Sequence, residues 1–94
     1  MYIESAKLTL YLSHATSLKE KRQVCRSIID KVRQRFNVSI AEVDTHDVIQ
    51  TLTIGVAVVS GDAAHAQQSL EAVIRYIEEN TDAEYVKVDR GEFD

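Results

Sequence analysis

Lys19, Arg22, Arg26 and Arg33 recur at spacings of three, four and seven residues, intervals that return a side chain to one flank of an α-helix. A guanidinium is always charged and presents a planar fork that fits two phosphate oxygens, so a row of such groups suits a phosphate backbone. Lys21, Lys31 and Arg35 fall on the other side of the same helix's apolar stripe, and Lys21 and Arg35 complete the candidate RNA- or partner-binding set. The segment Ser17 to Phe36 holds seven of the chain's eleven bases against two acids, Glu20 and Asp30, a net +5. The remainder carries four bases against thirteen acids, a net −9. An overall charge of −4 repels nucleic acid at long range, so any such binding must rest on the local patch. The plainer alternative is a solvated helix face in which Asp30 pairs with Arg26 or Arg33. A third possibility is an acidic protein partner.

The other residues with chemical potential form no recognised set. His14, Asp44, His46, Asp47 and Asp82 are expected at one end of the sheet, but their spacing matches no metal motif, and turns are rich in Asp because its carboxylate bonds nearby backbone. His65 belongs to the opposite end, on the surface. Cys25 lies mid-stripe on the basic helix, where a small buried thiol is inert. With a single cysteine there is neither an internal disulfide nor a zinc pattern. No Ser-His-Asp arrangement, phosphate-cradling glycine loop or dinucleotide fingerprint is present. The expectation is a binding module, not an enzyme, without cofactor or metal.

Six elements must position these side chains. Leu8, Leu10 and Leu12 alternate with Lys7, Thr9 and Tyr11, predicting a half-buried strand over Ile3 to Leu12. Ser17 with Glu20 three residues on predicts a capping box, and Leu18, Cys25, Ile28, Ile29, Val32 and Phe36 form the stripe of a first helix ending at Asn37. Phe36 to Val43 returns to alternation, the polar run Asp44 to Asp47 turns the chain, and Leu52, Ile54, Val56 and Val58 line a third strand. Gly61 breaks that strand, Asp62 is positioned to cap, and Ala63 to about Asn80 makes a second amphipathic helix. Tyr85 to Asp89 is the last strand.

The order β-α-β-β-α-β predicts an α+β, ferredoxin-like single domain spanning residues 1–94, a four-stranded antiparallel sheet with both helices on one face. Right-handed crossovers then turn Val24 and Ile28 toward the second helix, to meet Ala66 and Val73, leave Lys21, Lys31 and Arg35 nearer that helix, and send Lys19, Arg22, Arg26 and Arg33 outward over the edge of the second strand.

At 94 residues with 45% apolar and 28% charged content, the chain is sized for one core. Without proline and with three glycines, order is expected throughout except at Gly91 to Asp94. No run is long enough to span a bilayer and no secretory signal is visible, so a cytoplasmic location without membrane partners is expected. The open sheet face carries Tyr11 as its one aromatic suited to stacking on a base, beside Thr51, Thr53, Gly55 and Ala57, which disfavours RNA recognition through the sheet. Small side chains there suit another layer instead, and a homodimer through the sheet face or the second strand's edge is expected.

The block Ser17-Leu18-Lys19-Glu20-Lys21-Arg22, the run Arg35 to Asp44, and Asp47, Gln50 and Gly55-Val56-Ala57 together resemble the YlxP-like family of small bacterial proteins of unknown function. The likeness spans nearly the whole chain, departing before Ser17 and at Val48-Ile49. It implies a ferredoxin-like domain of the bacterial cytoplasm, often encoded beside translation-initiation and ribosome-maturation genes, with no established catalytic activity. Association with RNA or a ribosomal particle is the functional expectation that this resemblance adds.

Overall fold

The computed structural model describes residues 1–91; Glu92 to Asp94 lie outside the described residues. Strands β1 (Tyr2–Tyr11), β2 (Ser39–Asp44), β3 (Thr51–Ser60) and β4 (Glu84–Arg90) form one antiparallel sheet in the order β2-β3-β1-β4. Helices α1 (Leu18–Arg35) and α2 (Ala63–Glu79) occupy the two connections between β1 and β2 and between β3 and β4. The fold is the expected ferredoxin-like sandwich.

Alternation drives it. Ala6, Leu8 and Leu10 of β1 and Leu52, Ile54, Val56 and Val58 of β3 are buried on one face, joined in a single core by Cys25, Ile28 and Val32 of α1 and Leu70, Val73 and Ile77 of α2. Each of the Leu, Ile and Val side chains contributes roughly 1.5–3 kcal/mol on burial, enough together to choose the register, since a one-residue slip would turn the strand sets to solvent.

Helix α1 begins where the capping pattern placed it, because the Ser17 hydroxyl accepts the Glu20 amide at 3.2 Å. The reciprocal half of the capping box is not made. The Glu20 carboxylate accepts the Thr16 hydroxyl instead. The helix closes at Arg35 with Phe36 as its cap, two residues before the expected Asn37, so β2 starts at Ser39 rather than at Phe36. Asp62 occupies the cap position of α2 without a side-chain cap bond, contrary to the sequence expectation; the adjacent polar contacts come from Ser60, whose hydroxyl accepts the Asp62 amide and meets His65. Gly91, expected at a loose end, is held by its amide to the Ser5 carbonyl at 3.2 Å.

Two bulges shape the sheet. Val43 is the extra residue in β2, and its side chain lies over Gly55, where an added Cβ would come within 2.8 Å of Val43 Cγ1. Val86 is the extra residue in β4.

Candidate nucleic-acid interface

In the sheet order β2 is an outer strand, so the backbone on its far side faces no strand, and α1 runs alongside it. Between them lies a groove of about 460 Å³ lined from α1 by Arg22, Arg26 and Arg33 and from β2 by Ile40, Ala41 and Glu42. Helical spacing brings the three arginines to this line, and Lys19 stands one turn before Arg22, exposed to solvent.

Among the described residues, Lys19, Arg22 and Arg26 have no ion-pair or hydrogen-bond partner. Asp30 lines the groove without pairing to Arg26 or Arg33. Arg33 donates from Nη2 to the Ile40 carbonyl at 3.1 Å, which occupies an acceptor of the β2 edge and holds the guanidinium over it. The three arginines therefore sit along β2, where the right-handed crossover placed them, and Lys19 is exposed one turn before them without lining the groove.

The remaining two candidates part from this row. Lys21 is buried, 1% exposed, and is withdrawn from the solvent-facing set. Its ammonium donates to the Val48 carbonyl at 2.7 Å and to the Thr45 carbonyl, and lies 3.2 Å from Glu42 Oε2. Two carbonyls and a carboxylate surround the buried ammonium, so no phosphate can reach it. It also faces the β2–β3 turn, not α2 as the helix projection suggested. The signal was present in the spacing: Lys21 lies three after Leu18, four before Cys25 and seven before Ile28, in the middle of the apolar stripe. Arg35 does face α2. Its guanidinium carbon lies 4.9 Å from the Tyr76 ring centroid, and Phe36 meets the same ring edge-on at 5.5 Å.

The turn that Lys21 holds is heavily tied. Thr45 adopts a left-handed φ of 53°, its amide bonded to the Asp44 carboxylate and its hydroxyl to the Thr51 carbonyl and the Thr53 hydroxyl. Gln50 reaches the carbonyls of Ser13 and Ala15, joining this turn to the β1–α1 loop. Gln50 and Lys21 thus position the turn.

The acidic and histidine residues lie at the expected end of the sheet but do not gather into one cluster. His14 and Asp82 line one cleft of about 410 Å³ floored by Leu12, Val24 and Ile28, whereas Asp44, His46 and Asp47 belong to the β2–β3 turn and are not among its lining residues. Among the described residues no group of three His, Cys, Asp or Glu could hold a metal ion. Burial pushes the Cys25 thiol above its ordinary value, Glu42 adds to this and Lys21 opposes it, so the sulfur stays protonated at neutral pH. Burial likewise raises the Tyr85 phenol, which donates to the Ile74 carbonyl at 2.8 Å.

Residues 3–90 match a family described as a protein of unknown function, DUF503. The chain belongs to that family. Over 64 residues it is 39% identical to the uncharacterized protein YlxP of Bacillus subtilis (strain 168), covering 68% of this chain and 70% of that one. Among the described residues no helix is long and apolar enough to cross a membrane.

Proposed function

We propose that this chain is a non-enzymatic RNA-binding module that grips backbone phosphates along the α1–β2 groove, with a ribosomal particle as its setting. The observation that carries the reading is the row Lys19, Arg22, Arg26 and Arg33, in which no carboxylate comes within ion-pairing distance among the described residues. Between Lys19 and Arg33 the helix rises about 21 Å at about 1.5 Å per residue, a length that spans several successive phosphates. No aromatic side chain lines the groove, which favours backbone contact over base stacking and therefore structured RNA read by shape.

The test is fluorescence anisotropy with purified ribosomal subunits and a transcribed ribosomal RNA helix, comparing the natural chain with Lys19→Gln/Arg22→Gln/Arg26→Gln/Arg33→Gln. Salt-sensitive binding that disappears in the variant, with its circular dichroism unchanged, is the expected result. Equal binding by both chains overturns the proposal. So does recovery from cells of a complex with an acidic protein that survives nuclease treatment, since that is the competing use of the same cations.

A further inference from the structure

We propose that the helix-free face of the sheet is a homodimer interface, on which a second copy of this chain packs face to face about a two-fold axis. The inference is independent of the RNA reading, because α1 lies on the opposite side of the sheet. Four observations carry it.

Large apolar side chains stand exposed on this face. Ile3 and Val59 are direct register partners at 60% and 63% exposure, Val43 lies over Gly55, and Tyr11 occupies the far end of β1. Next to Ala57, which is two residues from Val59 along β3, is a depression of about 440 Å³ whose lining includes the small residues Ser39, Ala41, Gly55 and Ala57 and the opposite charges Lys7 and Asp44. A raised aliphatic pair beside a depression is the shape a two-fold axis can match to itself, each copy's pair seating in the other's hollow.

The charges on the face are mixed and locally balanced. Lys87 pairs with Asp89 at 3.5 Å, and Lys7 stands opposite Asp89 in register. Two copies can therefore meet without setting one sign against itself.

Both edges are poorer surfaces. A pairing through β2 would bring the Arg22, Arg26 and Arg33 row of one copy against the same row of the other, and Arg33 already occupies the Ile40 carbonyl. The β4 edge is broken by its bulge at Val86.

The area suffices. Strands of 10, 6, 10 and 7 residues, at about 3.3 Å per residue and about 4.8 Å apart, present roughly 520 Å² per copy, so a face-to-face pair buries about 1,050 Å², just above the roughly 1,000 Å² that a specific interface must clear. The product is an eight-stranded sandwich with all four helices outside and both basic flanks free.

Sedimentation equilibrium of the full chain across the micromolar range tests this. The expected species has twice the 10.6 kDa mass of one chain. Val59→Lys and Ile3→Lys/Val59→Lys each bury unpaired ammonium groups in both copies and are expected to raise the dissociation constant at least about 100-fold with far-UV circular dichroism unchanged. A natural chain that sediments as a monomer throughout overturns the proposal, and so does a dimer whose dissociation constant is unmoved in both variants. Because both side chains are exposed in the single chain, each variant remains able to fold.

Discussion

The ammonium of Lys21 lies 3.2 Å from the carboxylate of Glu42, the two side chains being 1% and 18% exposed, and this pair joins the first turn of α1 to the outer strand β2. Glu42 Oε2 is itself buried and takes Lys21 as its ion-pair partner without a well-aligned hydrogen bond. The attraction offsets a large desolvation cost, so the pair secures position more than net stability. What it positions is the β2–β3 turn, through the carbonyls of Thr45 and Val48.

Lys21→Ala is expected to destabilise the protein by about 3 kcal/mol in urea titrations, because it leaves a half-buried carboxylate and two carbonyls without their donor. Lys21→Met/Glu42→Leu is expected to regain much of that loss. Hydrogen exchange should show the loosening concentrated in residues 45–50 for Lys21→Ala.

RNA binding should respond differently to Lys21 and to the outward row. With four phosphate contacts, the logarithm of the binding constant should fall against the logarithm of salt with a slope of about −3 to −4, and each of Lys19, Arg22, Arg26 and Arg33 replaced by Gln should reduce the slope by about 1. Lys21→Met, checked to be folded, should leave that slope unchanged, since its ammonium is buried among protein acceptors.

Gly55→Ala should cost about 1 kcal/mol, because its new Cβ would fall 2.8 Å from Cγ1 of Val43, a β-branched side chain with little rotamer freedom. In a Val43→Ala background the same substitution should be nearly neutral. A double-mutant cycle by chemical denaturation measures the coupling.

The two helix starts should be unequal. Ser17→Ala removes a formed cap bond and should cost about 1 kcal/mol, whereas Asp62→Ala removes none and should cost a few tenths. Thermal midpoints of the two variants give the comparison.

Stability should decline at alkaline pH. The folded thiol of Cys25 holds its proton above the ordinary value of 9.0, so its contribution is complete below that pH and is lost as pH rises toward the folded value, where the unfolded chain is already ionised. Tyr85 acts in the same direction at higher pH. Urea midpoints measured between about pH 8 and pH 10 should fall, and Cys25→Ala should flatten the first part of that fall.

Periodicity alone determined the six elements, their order and the inward faces, because burial of Leu8, Leu10, Ile54 and Val56 dominates every alternative register. It also determined that Lys19, Arg22, Arg26 and Arg33 share a helix flank, since helical geometry is local. The ends of α1 and β2 shifted by a few residues because Phe36 closes the helix through its amide to Val32 and packs on Tyr76, a partner 40 positions away. Only the tertiary structure decided which acceptors the inward Lys21 meets, that Gln50 ties two loops, and that Val43 leans on Gly55. Charge in a sequence reads as exposure, but a long flexible stem can carry an ammonium to carbonyls and a carboxylate that come together only when β2 folds beside α1.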